Sequence, residues 1–207
     1  MPFDIPDRIP TEAVTVAPGI TGYLLPDDGM VAEAAFLKHL NDGGELYMIA
    51  FGFTLVPMVD ALIRRKDRLH IYLDNSQAGG VMAKPQVQRL VRAGVEVTLG
   101  TSTAGSQFIC HSKCLVCRHP DGSSWCWEGS VNFSASGWHQ VNTVMVFDSK
   151  AWADAVIAQF IGLRQFAWDY ERHLQVMPNP PPGVTPNPNP PPLPKPKRYP
   201  KPRKKRT

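Results

Sequence analysis

The sequence predicts an α/β fold: a mixed, largely parallel β-sheet flanked by helices on both faces, followed by a disordered proline-rich basic tail. Three observations predict it. Strand-like and helix-like patterns alternate along the first three quarters of the chain. Short runs such as ELYMIAF (45–51) and LHIYLD (69–74) are apolar at nearly every position, as strands covered on both faces are. From Pro178 to Thr207 the composition changes: 13 of the 21 prolines and eight Lys/Arg residues lie there, with no acid.

The elements follow in order. TVAPGITGYLL is a strand region, and Asp27 and Asp28 are placed to cap a helix that runs through His39 and Leu40 and stops at residues 41–44, Asn-Asp-Gly-Gly. ELYMIAF is a strand. Thr54 can cap the next helix, with Pro57 in its first turn and Val56, Val59, Leu62 and Ile63 on its apolar face. LHIYLD is a strand, PQVQRLVRAG (85–94) an amphipathic helix closing on Gly94, and VEVTLG (95–100) a strand. QFICHSKCLVC and SSWCWE then form a hairpin around Asp121-Gly122, NTVMVFD (142–148) is a further strand, and Ser149 caps a long helix with Trp152, Val156, Phe160, Leu163 and Tyr170 on one face.

Composition narrows the function. With 207 residues and 43% hydrophobic content the chain can form one domain with a core, and we place that domain at residues 1–177 and the tail at 178–207. No apolar stretch is long enough to span a bilayer, and MPFDIPDRIP lacks the features of a secretory signal, so a cytoplasmic protein is expected. The body holds the other 14 basic residues and all 18 acidic ones, a net charge of −4. A polyanion would therefore be met through a local patch or through the tail residues Lys195, Lys197, Arg198, Lys201, Arg203, Lys204, Lys205 and Arg206. Nuclear import in a eukaryotic cell and attachment to an anionic membrane are alternative uses of the tail.

Chemistry concentrates between His111 and Gly137. On a strand His111 and Lys113 share a face, and after the hairpin Ser130 and Asn132 share parity as well. The turn brings the two pairs together, and Gly129 allows close backbone approach by a ligand. An imidazole, an ammonium, a hydroxyl and an amide around one point suit a phosphodiester. Lys113 supplies charge for the non-bridging oxygens, Ser130 and Asn132 donate hydrogen bonds, and His111 attacks phosphorus or protonates the leaving oxygen.

His111-x-Lys113 followed by Gly129-Ser130-x-Asn132, with TLVPMVDALIRRKDRLHIYLD and VRAGVEV before them, resembles the phospholipase D superfamily over about residues 15–170. The resemblance implies a metal-independent phosphodiesterase that needs no cofactor. Single-motif members pair across a two-fold axis, so the implied site lies at a homodimer interface. One His111 forms a phosphohistidine and the other serves as acid and then base. Small single-motif members are commonly nucleases, and the tail favours DNA over RNA. Two positions depart from the family pattern. Arg118 stands where the motif's Asp is expected, Asp121 serving the turn instead, and Thr143 stands where a Glu often follows. Glu128 is the nearest carboxylate in sequence and by strand parity a substitute. These departures leave open a catalytically weak or inactive nucleic-acid-binding protein. A phospholipid phosphodiesterase is the third reading.

Other residues carry plainer expectations. Cys114-x-x-Cys117 has zinc-ligand spacing, but on a strand the two thiols point to opposite faces. Cys117 and Cys126 could face each other across the hairpin, but packed free thiols are the expected state of all four cysteines. His119 and His139 are expected in surface loops, and Trp125, Trp127 and Trp138 in the core or an interface.

Overall fold

The structure, a computed structural model, describes residues 13–102, 109–164 and 168–169. The tail with its eight basic residues, the boundary near Met177, and Tyr170 lie outside the described residues.

Among the described residues nine strands form one sheet: β1 (Val14–Ala17), β2 (Ile20–Leu25), β3 (Glu45–Ala50), β4 (Leu69–Asp74), β5 (Glu96–Gly100), β6 (Lys113–Arg118), β7 (Ser124–Gly129), β8 (Asn142–Asp148) and β9 (Trp168–Asp169). Their order is β1-β2-β8-β7-β6-β3-β4-β5-β9. This corrects the expectation of a largely parallel sheet. Only β3–β4 and β4–β5 are parallel, and the other six pairings are antiparallel. The apolar strands do have both faces covered, but coverage comes from where the helices lie and does not fix strand direction. The direction is set by the β6–β7 hairpin, which inserts next to β3 and carries β8 and β2 with it antiparallel.

Five helices flank the sheet: α1 (Gly29–Leu40), α2 (Val56–Ile63), α3 (Asn75–Ala78), α4 (Ala83–Arg92) and α5 (Lys150–Arg164). On one face Phe36 of α1, Met58 and Leu62 of α2, and Val87 and Leu90 of α4 pack against Leu115, Trp127 and Phe133. On the other, α5 lays Ala153, Val156, Ile157 and Phe160 over Cys114, Val116 and Cys126. Ser149 caps α5 as expected, its Oγ accepting from Trp152 N at 3.1 Å. Asp28 does not cap through its side chain; its Oδ2 accepts from Leu24 N at 2.8 Å. Leu55 rather than Thr54 precedes α2.

The hairpin turn is built as the sequence indicates. Gly122 has φ +86°, and Asp121 Oδ1 accepts from Ser123 N at 2.9 Å and Ser123 Oγ at 2.7 Å. All four cysteines are buried and free. Cys114 and Cys117 belong to opposite faces, and Cys126 pairs with Val116 rather than Cys117. Trp125, Trp127 and Trp138 are core residues.

Candidate active site

The ends of β3, β4 and β6 define one edge of the sheet. In register, Ala50 lies opposite Lys113, and Phe51 N donates to Ser112 O at 2.8 Å, so the segment entering β6 is held to the residue leaving β3. His111 precedes the strand and is exposed, whereas Lys113 opens it and is only 3% exposed. Phe51 joins them: its ring lies 4.7 Å from the His111 ring in an edge-on contact, and Lys113 Nζ lies 5.0 Å from its centroid. Lys113 Nζ also donates to the His111 carbonyl at 2.6 Å. Burial lowers the Lys113 pKa, partly offset by nearby Cys110. Among the described residues no carboxylate pairs with this ammonium, and none bonds the His111 ring.

Asp74, fully buried at the end of β4, fixes the approach to His111. Its Oδ2 accepts from Cys110 N at 2.7 Å, while Oδ1 accepts from Ser76 N at 2.8 Å and from Ser76 Oγ. Every lone-pair direction this carboxylate uses is spent on positioning. Sequence reading missed Asp74 and Phe51, because each appears simply as the polar or apolar end of a strand run. Their role depends on the strand order, which sets β6 beside β3 and β3 beside β4.

The segment 130–133 reaches the same edge. Phe133 forms a bridge with Phe53, and its carbonyl accepts from Thr54 N at 2.8 Å and Leu55 N at 3.1 Å, just beyond the end of β3. Asn132 is half-buried, and its Oδ1 is shielded from solvent with no hydrogen-bond partner among the described residues. Ser130 is exposed, and its hydroxyl is engaged: Oγ donates to Asn142 Oδ1 at 2.9 Å and accepts from Thr143 N at 3.1 Å. Asn142, also missed, thus ties β8 to the motif. Gly129 is needed for a strand rather than for a ligand, since a β-carbon there would stand 2.4 Å from Thr143 O.

The geometry does not bring Glu128 to this group. It pairs with Cys114 and shares the α5 face with Cys126, and its Oε1 accepts from Trp152 Nε1 at 3.0 Å. Lys113 alternates with Leu115 and Cys117 toward the opposite face. Arg118, in the place of the motif's acid, forms an ion pair with Asp154 of α5. The site therefore comprises an exposed imidazole, a buried ammonium and an unpartnered amide oxygen at one sheet edge.

A sequence profile of the family described as "Cardiolipin synthase, PLD-like domain" matches residues 37–164, a span that includes both motifs. The chain belongs to the phospholipase D-like family. Among solved structures, the phospholipase D family member Nuc from Salmonella typhimurium superposes with a TM-score of 0.62 at 18% identity, over 73% of this chain and 97% of that one. NucT from Helicobacter pylori gives a TM-score of 0.62 at 12% identity, over 73% and 98%. Polyphosphate kinase from Porphyromonas gingivalis reaches 0.50 at 11% identity, over 69% of this chain and 26% of that one. These likenesses establish the fold. No curated protein sequence matches the chain. Among the described residues no helix is long and apolar enough to cross a membrane.

Proposed function

We propose that the chain is a phosphodiesterase, an endonuclease with DNA as its favoured substrate, that acts through a phosphohistidine on His111. The observation that carries this reading is Lys113. An ammonium removed from water without a carboxylate partner is costly unless an anion arrives to pair with it, and a phosphodiester does so. Exposed His111, held against Phe51 beside that charge, can reach phosphorus. Asn132, on the segment that reaches the same edge, can donate through its amide nitrogen to a phosphoryl oxygen. Ser130 acts by holding β8 in place.

In this mechanism one His111 attacks phosphorus and expels the alkoxide, which takes a proton from a second imidazole. That second imidazole then removes a proton from water, whose oxygen bonds to phosphorus and breaks the P–N bond, releasing His111. Only one such motif is present in the chain, so the second His111 comes from another copy, and the active form is a homodimer. Neither step calls for a metal. The basic tail supplies non-specific affinity for the polyanion.

The test is cleavage of plasmid and oligonucleotide DNA, RNA and phospholipid vesicles by the full chain in EDTA, wild type against His111→Ala. DNA cleavage by the wild type alone, with a trapped phosphohistidine, supports the proposal. Cleavage that survives the substitution or requires a divalent ion overturns it. Arg118 paired to Asp154, and Thr143 bonded to Ser130, leave the imidazole without an orienting acid among the described residues. They favour, as a second reading, a binding-only protein, which would show salt-sensitive DNA affinity with no turnover.

A further inference from the structure

The opposite end of β6 holds a different set of side chains. From Lys113 to Arg118 the strand covers about 17 Å, so this end is well removed from His111. Here Asp42, Cys117 and His119 each present one ligand atom, and these atoms all lie within 4.8 Å of one another. His119 Nε2 is 3.3 Å from Asp42 Oδ2 and 3.8 Å from Cys117 Sγ. Around a tetrahedral zinc ion, bond lengths near 2.0 Å to N and O and 2.3 Å to S put neighbouring ligand atoms roughly 3.3 to 3.6 Å apart. The trio is thus within a few tenths of an ångström of that spacing on two of its sides. His119 lies in the loop after β6, where it is half-buried with its ring against Asp42 and Cys117.

Three features brace the ligands. Trp125 Nε1 donates to Asp42 Oδ2 at 2.9 Å, fixing the carboxylate. Gly44 backs the Cys117 sulfur, which sits so close that a β-carbon at residue 44 would be 2.2 Å from Sγ. Arg65 and Arg68 donate to the carbonyls of Gly44 and Gly43, holding the loop that carries Asp42. Such outer contacts orient metal ligands and set their affinity. A cleft of about 430 Å³ adjoins the trio, lined by Asp42, His119, Ser123, Asp148 and Lys150. Ser124 also lines it, buried, with a hydroxyl that has no partner among the described residues.

We propose that Asp42, Cys117 and His119 bind a borderline divalent metal ion of the zinc class, with its fourth position open to this cleft. Thiolate, imidazole and carboxylate together are a donor set that zinc accepts and that magnesium and calcium do not favour. Binding displaces the Cys117 thiol proton to solvent, and the carboxylate and one imidazole nitrogen each donate a lone pair to the ion. The ion sits at the far end of the sheet from His111, and its role is to lock the loop after α1 to the hairpin turn.

The experiment uses the full chain stripped of metal by chelation and then titrated with Co²⁺ and with Zn²⁺. We expect one equivalent per chain, a thiolate-to-cobalt charge-transfer band, and a rise in Tm of several degrees with Zn²⁺. Cys114→Ser and Cys126→Ser should keep the band, whereas Cys117→Ser, His119→Ala and Asp42→Asn should lose it. Trp125→Phe should weaken binding about 10- to 100-fold. Melting curves of the metal-free variants confirm folding, and His119→Ala should cleave DNA in EDTA as the wild type does. Absence of saturable binding, or binding retained by folded His119→Ala or Asp42→Asn, would reduce the trio to an ion pair beside a thiol.

Discussion

The two ends of β6 differ in how they treat charge. At the Lys113 end a cation is buried with no anion beside it among the described residues, next to an exposed imidazole. At the His119 end Asp42 and Arg118 each have a protein partner: His119 and Trp125 contact Asp42, and Arg118 meets Asp154. One end is incomplete until an anion binds, and the other is self-compensated with a soft sulfur added. The difference teaches that polar residues on one strand have separate uses, told apart by whether their charge is already balanced.

Substitutions can break this comparison, and the largest effect belongs to His111. His111→Ala should lower cleavage by about four orders of magnitude or more while leaving Tm nearly unchanged, because the ring is exposed and makes one aromatic contact. Paired cleavage and melting assays check both halves. Lys113→Met comes next. Cleavage should fall by about 10² to 10³, while stability rises by roughly 1–2 kcal/mol in denaturant titrations, since a desolvated charge is replaced by an apolar side chain. A loss of stability would mean that the His111 carbonyl and Phe51 already balance the ammonium.

Asp74→Ala should destabilise by about 3 kcal/mol, because buried donors on Cys110 and Ser76 lose a charged acceptor. It should lower kcat more than it raises KM, because it misplaces His111 without touching substrate.

The smallest effect sharpens the contrast from the α5 face. There His70 Nδ1 and Nε2 each lie 2.9 Å from a carboxylate, of Glu96 and Glu45 respectively. The hydrogen bond to Glu96, and then that to Glu45, raise the His70 pKa above its ordinary 6.5 against the effect of burial. Its stabilising contribution is therefore full below the ordinary value and fades as pH climbs through the raised one. Glu96, lowered first by His70, contributes above its own ordinary value and fades as pH falls through the lowered one. His70→Gln should thus cost less than about 1 kcal/mol, and more near pH 6 than near pH 9, in melts across that range.

Much of this was legible in the sequence. LHIYLD and NTVMVFD span β4 and β8 residue for residue, and Asp121-Gly122 located the hairpin turn. Strand direction was not legible, because a run apolar on both faces reports helices above and below it whichever way its neighbours run. His111 and Lys113 could be paired on paper because they are two residues apart. Asp74 with Cys110, and Asp42 with Cys117 and His119, could not be paired, since only strand order brings such distant segments together. Parity misplaced Glu128: the alternation that set it with Ser130 ignores that β7 ends at Gly129, after which the chain bends toward Phe53.

The bond from Lys113 Nζ to the carbonyl of His111 has one more implication. The ammonium is steadied by the backbone two residues upstream and by the ring of Phe51, at the exit of β3. Imidazole and cation therefore share one backbone segment and one ring, and a shift of this strand end relative to β3 would disturb both together. Their placement thus leans on Phe51 and, through Cys110, on Asp74, so an exchange at either distant neighbour is felt at the reactive pair.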